Sequence, residues 1–231
     1  NYVGWQRQEN GLSIQECLEN AVNKLTGENV IVFGAGRTDA GVHAIGQVAH
    51  FEIIKNFEDN KIRDGLNQYL RPNPISIKSA EKTDKDFHSR FSAKLRCYEY
   101  IVINRRSPLT LDRNRAWCIY KKLDVEKIKL QASSFLGKHN LDSFRSINCQ
   151  SKSTTKTVKS VLVEYKNDNL IFNICAKSFL HSQVRIMVGT LIDIGKGLIK
   201  ESINDIIKSQ NRSSAGVTAP ACGLYLKKIQ Y

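Results

Sequence analysis

Four glycines (Gly34, Gly36, Gly41 and Gly46) surround one aspartate, Asp39, between two apolar runs, Val30-Ile31-Val32-Phe33 and Gln47-Val48-Ala49-His50-Phe51. Short runs rich in Val, Ile and Phe and bounded by Gly predict strands, so this part of the chain is constrained to strand, tight loop, strand. Glycine lets such a loop take left-handed or close-approach conformations. A loop held at both ends by strands presents a side chain rigidly and within reach of a ligand. A lone Asp in a loop ordinarily satisfies its own backbone. The full run Gly36-Arg37-Thr38-Asp39-Ala40-Gly41-Val42-His43 is more particular than a turn requires, and Asp39 is the first candidate for a reacting group.

The rest of the chain alternates helical and extended patterns. Ser13 to Leu25 predicts a helix: Ser13 and Glu16 form a capping-box pair, the stripe Ile14, Cys17, Leu18, Ala21, Val22 and Leu25 gives one apolar face, and Gly27 can stop it. A second helix is expected over about Glu58 to Leu70 before Pro72 and Pro74, then a strand at Ile75-Ser76-Ile77. The polar stretch Ser79 to Ser92 reads as a crossing between halves, which sets expected domains at 1–85 and 86–231. Beyond it come strands at Leu95–Ile103 and Trp117–Tyr120, and a helix over Val125–Leu136 opened by Asp124 and closed by Gly137. Val158–Tyr165 and Leu170–Ala176 flank Asn167-Asp168-Asn169, a hairpin signal. A helix over Phe179–Ile194, a shorter one opened by Ser202 and a last strand through Leu224 and Leu226 complete an α+β pattern without internal repeat.

Composition narrows the function classes. The 231 residues can bury one large core or two small ones, and the formal net charge of +13 points to a polyanionic partner. No apolar run is long enough to span a membrane, and no signal-peptide pattern opens the sequence. The six cysteines are scattered, which argues against a zinc site or a disulfide framework and for a reducing cytoplasm. The five histidines, among them His50, His88, His139 and His181, lack metal-ligand spacing, so no metal is expected. Gly34-Ala35-Gly36 continues into Arg37-Thr38-Asp39 where a dinucleotide fingerprint needs Gly, and Gly195-Lys196-Gly197 lacks phosphate-loop spacing. A nucleotide-cofactor enzyme is disfavoured.

The run around Asp39 closely resembles the active-site motif of the TruA family of tRNA pseudouridine synthases. Further blocks follow in family order: Gly4-Trp5-Gln6-Arg7-Gln8, Phe87-His88-Ser89-Arg90-Phe91-Ser92-Ala93 with Tyr98-Glu99-Tyr100, Phe179-Leu180-His181-Ser182-Gln183-Val184-Arg185 with Val188-Gly189-Thr190-Leu191, and Ala219-Pro220 with Gly223-Leu224-Tyr225-Leu226. The resemblance implies two α/β halves side by side around a basic cleft, with a mixed, largely antiparallel central sheet flanked by helices. It implies an isomerase that turns uridine into pseudouridine at tRNA positions 38, 39 and/or 40, in the anticodon arm, as a homodimer and without cofactor. The alternative is a non-catalytic RNA-binding or RNA-folding protein on the same scaffold.

By the same resemblance Asp39 is the nucleophile, acting at C1′, at C6 or through a glycal. An ionised carboxylate in a dry pocket needs a cation. Arg185, at the edge of the apolar face of its predicted helix, matches the family's arginine and is expected within hydrogen-bonding reach of Asp39. Tyr98 matches the tyrosine that stacks on the target base and shares a strand face with Tyr100, which reads as core. Arg37 resembles the arginine that contacts RNA at the flipped nucleotide, and Leu224 the apolar residue closing the pocket. His43 is assigned to RNA contact, with an orienting or structural role at least as well supported. The sequence departs from the family in two places. A strand usually precedes the Gly4 block, whereas this sequence starts at Asn1, and the usual Met-Val-Arg-Asn is Gln183-Val184-Arg185-Ile186.

Overall fold

The computed structural model describes residues 2–147 and 149–231. In chain order its elements are α1 (Ile14–Thr26), β1 (Phe33–Gly34), β2 (His43–Ala44), β3 (Ala49–His50), α2 (Asp59–Leu70), β4 (Leu95–Asn104), β5 (Trp117–Ile119), α3 (Val125–Ser133), β6 (Gly137–Asn140), β7 (Thr155–Lys166), β8 (Asn169–Ala176), α4 (Gln183–Gly195), α5 (Ile203–Ser209) and β9 (Leu224–Gln230). They divide into two compact units. The first comprises Asn1–Gly41, Gln47–Ala93 and Tyr231; the second comprises Val42–Gly46 and Lys94–Gln230.

The first unit is built on α1 and α2. Ser13 accepts from the Glu16 N–H at 3.1 Å, and Gly27, at φ 78°, closes α1 by donating to Asn23 O. The apolar stripe of α1 (Cys17, Leu18, Ala21, Val22) packs with Trp5, Val32, Leu66 and Leu70 in a single core cluster. Strand structure is shorter than the apolar runs predict: β1 and β3 are two residues each, paired antiparallel through Phe33↔His50 and Gly34↔Ala49. Side chains of α1 take the place of a ladder beside Val32, whose N–H donates to Glu19 Oε1 at 3.2 Å and whose carbonyl accepts from Gln15 Nε2 at 3.1 Å. Ile75-Ser76-Ile77 is not a strand for the same reason. The Asn67 carboxamide accepts from Ile77 N at 2.8 Å and donates to Ile77 O at 2.9 Å, so the segment docks on a helix side chain.

The second unit is a seven-stranded sheet in the order β2-β9-β4-β8-β7-β6, with β5 also on β4. Every pairing is antiparallel except β2 with β9 and β4 with β5, which gives the mixed, mostly antiparallel sheet of an α+β fold. The β7–β8 hairpin turns on Asn167 (φ 50°) and Asp168 (φ 65°), residues suited to left-handed backbone. Alternation along β4 buries Arg96, Tyr98, Tyr100 and Val102, and along β8 buries Leu170, Phe172, Ile174 and Ala176. Helix α4 is buried along almost its whole length, and α3 packs against it and against β7.

Three further expectations are corrected. The third helix ends at Ser133 rather than Leu136, because Ser134, Phe135 and Leu136 each donate three residues back and tighten the chain into Gly137, whose φ of 101° opens β6 instead of capping a helix. Helix α4 starts at Gln183 rather than Phe179: Ser182 is left-handed (φ 57°), and Gln183 Oε1 folds back to accept from Leu180 N at 2.8 Å. Scattered cysteines also do not stay apart. Antiparallel register sets Cys97 directly opposite Cys175, and the two sulfurs are bonded, across 78 residues of sequence.

Candidate active site

Asp39 lies half-buried in the first unit, on a loop whose shape is set by the N-terminal block. Gly4 forms an antiparallel bridge with Asp39, and Trp5 N–H donates to Thr38 O at 3.0 Å. At Gly4 the backbone has φ 120°, and a Cβ built there would sit 2.7 Å from Thr38 O. Only glycine meets both conditions without strain. Trp5 is 6% exposed and packs its indole so closely over Gly34 that a Cβ there would overlap the ring. The clamp is tied in turn to the first turn of α1, where Ile14 N donates to Gly4 O and Gln15 N to Trp5 O. On the other side, Gln47 Nε2 donates to Gly36 O at 2.7 Å and Ala35 N to Val48 O at 2.8 Å. The aspartate is therefore carried on a loop fixed at both ends, with Arg37 exposed two residues before it.

The second unit holds Arg185, Tyr98, Leu224 and His43. Arg185 is the one residue of α4 that is not buried. Its Nε donates to Ala219 O at 2.8 Å, while its own carbonyl accepts from Ala219 N at 3.1 Å. The segment before Ala219 follows α4 in the same way: Gly216 N donates to Thr190 Oγ1 at 2.9 Å and Val217 N to Asp193 Oδ2 at 3.2 Å. Gly189 makes the approach possible, since a Cβ there would overlap Val217 O. Tyr98 is buried on β4, edge-on to Phe179 with ring centroids 5.3 Å apart, and pairs in register with Leu226. Tyr100, fully buried, donates its hydroxyl to Pro220 O at 2.7 Å and pairs with Leu224, itself 6% exposed. Burial pushes the Tyr100 phenol and the Cys222 thiol up, and the Arg185 charge pulls both back, so the guanidinium acts on this end of the sheet.

His43 is engaged by protein. Its Nε2 lies 2.9 Å from Asn114 O and its ring stacks on Tyr225 at 4.8 Å. A second histidine cluster lies in the first unit, where His50 Nδ1 is 2.8 Å from Ser89 Oγ and its ring is 4.5 Å from that of His88. Burial, followed by the neighbouring His88, pulls the His50 imidazole below its usual value. A surface concavity of about 550 Å³ lined by Arg7, Gln8, Glu9, Gly11, Leu12 and Glu16 contains none of the six candidate residues. Among the described residues, no group of three or more His, Cys, Asp or Glu is arranged to hold a metal ion, and no helix is long and apolar enough to cross a membrane.

Sequence reasoning missed the residues that orient the candidates: Gly4 and Trp5 for Asp39, and Gly189, Thr190, Asp193 and Ala219 for Arg185. Most stood in the blocks that carried the resemblance, yet their contacts join segments far apart in sequence and only the fold reveals them.

The chain matches a family model described as tRNA pseudouridine synthase over residues 1–92 and 131–231. A protein named tRNA pseudouridine synthase A from Ehrlichia ruminantium (strain Gardel) is 51% identical over 233 residues, covering 100% of this chain and 95% of its own length. Proteins of the same name from Anaplasma phagocytophilum and Methylocella silvestris are 46% and 45% identical, each over 100% of this chain, with 95% and 93% of their own lengths covered.

Proposed function

Because the chain belongs to the tRNA pseudouridine synthase family, we propose that it acts on uridines 38, 39 and/or 40 in the anticodon arm of tRNA, with Asp39 as nucleophile. The protein is an isomerase that converts uridine to pseudouridine. The reaction breaks the N1–C1′ bond, turns the uracil and joins C1′ to C5. The C5 hydrogen leaves as a proton and N1 takes one up, so no electrons are exchanged. The observation that carries the reading is Asp39 on its clamped loop, within an eight-residue run resembling the family motif, in a chain that its relatives cover over its whole length. Preorganisation of this kind matters because a misplacement of about 1 Å can cost on the order of 100-fold in rate.

In this reading Arg185 holds the Asp39 carboxylate with its planar fork, Tyr98 stacks on the flipped uracil, Leu224 closes the apolar floor and Arg37 meets the RNA at the flipped nucleotide. Support for Arg185 comes from its place as the one half-buried position of an otherwise buried helix, oriented by Ala219. We propose further that the enzyme works as a homodimer in the cytoplasm, needs no cofactor, and divides functionally near residue 85 into a half carrying Asp39 and a half carrying Tyr98 and Arg185. The test is to map pseudouridine in tRNA from cells with and without the protein. Loss of the modification at one or more of the three positions is expected. Unchanged modification, with the protein still bound to tRNA, would leave an RNA-binding protein without this activity.

A further inference from the structure

The loop between β4 and β5, residues 105–116, is irregular, yet its backbone is held from outside at three successive carbonyls. His43 Nε2 lies 2.9 Å from Asn114 O, Tyr225 donates its hydroxyl to Arg115 O at 2.6 Å, and the Cys222 thiol lies 3.7 Å from Ala116 O. A carbonyl only accepts, so Nε2 of His43 carries the proton in this contact. His43 is itself held by its stack on Tyr225 and by the β2–β9 register that places the two opposite each other. Within the loop, Arg113 N donates to Thr110 O, Arg115 N donates to Asp112 O, and Asn114 between them is left-handed at φ 61°. Arg105 bonds Ser107 O and Pro108 O.

What the clamped backbone displays is charge. Residues 105–115 contain four arginines and one aspartate, and Arg106, Arg113 and Arg115 are exposed. Among the described residues, no ion pair engages Arg113 or Arg115. Exposed arginines on a backbone ordered in advance suit phosphate binding, because prior ordering removes part of the entropic cost of binding.

We propose that this loop is a preformed contact for the phosphate backbone of the tRNA substrate. Arg113 and Arg115 meet phosphates, and His43 and Tyr225 latch the loop in place. The proposal rests on the tRNA reading above and changes the role of His43 from an RNA contact to a residue acting through the loop. The charge of the chain, +13, favours RNA as the occupant.

The experiment measures tRNA binding against salt for the wild type, for Arg113→Ala combined with Arg115→Ala, and for His43→Phe, which keeps an aromatic ring on Tyr225 but has no nitrogen for Asn114 O. Each phosphate contact contributes roughly 0.7–0.9 to the log–log slope, so the arginine variant should lower the slope by about 1.4–1.8 and weaken binding about tenfold or more near 0.15 M salt. His43→Phe should weaken binding severalfold with the slope retained, because both arginines remain, and its loss should fall on KM more than on kcat. Thermal melting separates these effects from unfolding. Wild-type affinity and slope in the arginine variant overturn the proposal. So does a loss of dimer mass with affinity unchanged, which would make the loop an interface between copies. A wild type that binds no tRNA overturns the underlying reading and this inference with it.

Discussion

Gly4 shows how much one missing carbon decides. Its backbone lies at φ 120° with Thr38 O 2.7 Å from where a Cβ would stand, so Gly4→Ala must push the Asp39 loop away or strain its own backbone. The expected outcome is a kcat about 10²-fold lower, with tRNA affinity largely kept, because the displaced group is the proposed nucleophile. Steady-state kinetics alongside equilibrium binding checks this, and wild-type kcat would contradict it. His50 gives a prediction of another kind. Burial and His88 hold its imidazole below the ordinary value, so the folded chain resists a proton that the unfolded chain accepts. More protons are then bound in the unfolded state below about pH 6.5, and stability is full above that pH and falls as the pH drops through it toward the folded value. Melting temperature followed from pH 7.5 to pH 5 should decline less in His50→Asn than in the wild type. Equal declines would remove His50 from the account.

Helix α4 and the segment running to Ala219 form one device. Three backbone N–H groups (Gly216, Val217 and Ala219) donate to α4, and Arg185 is aimed by the last of these residues. Gly189→Ala places a carbon against Val217 O, and the backbone there cannot retreat without turning Ala219. Turnover should fall at least about tenfold even where the variant folds, since overpacking of this kind typically costs about 1–3 kcal/mol and disturbs the arginine as well. Circular dichroism with single-turnover kinetics separates the two effects, and a folded variant at wild-type rate would contradict the coupling. Elements with local signals were legible in the sequence. Ser13 and Gly27 bound α1, Asn167-Asp168 turns the hairpin, and Ser202 opens α5. Elements decided by distant partners were not. Val32 and Ile77 stand in strand-like runs, yet their backbone groups are met by helix side chains, and no periodicity encodes that choice. The start of α4 was missed because Gln183 turns back to Leu180, and the Cys97–Cys175 bond because register alone brings the two together.

At the scale of the whole molecule the candidate residues are shared out. Asp39 and Arg37 belong to the first unit, and Tyr98, Arg185, Leu224 and His43 to the second. As candidates they were legible through motif blocks spread along the chain. What the fold adds is the support beneath them: the Gly4–Trp5 clamp, the Ala219 rail and the latch on the arginine loop. The net charge of +13 suits a tRNA substrate but would serve any RNA-binding protein, so charge alone does not identify the reaction. Chemistry at Asp39, the proposed nucleophile, would. The most direct measurement is tritium release from tRNA labelled at uridine C5, because that hydrogen leaves when C5 becomes the glycosidic carbon. The wild type should release tritium to solvent, and Asp39→Asn, folded and still binding tRNA, should release none above background. Release by Asp39→Asn at the wild-type rate would contradict the account.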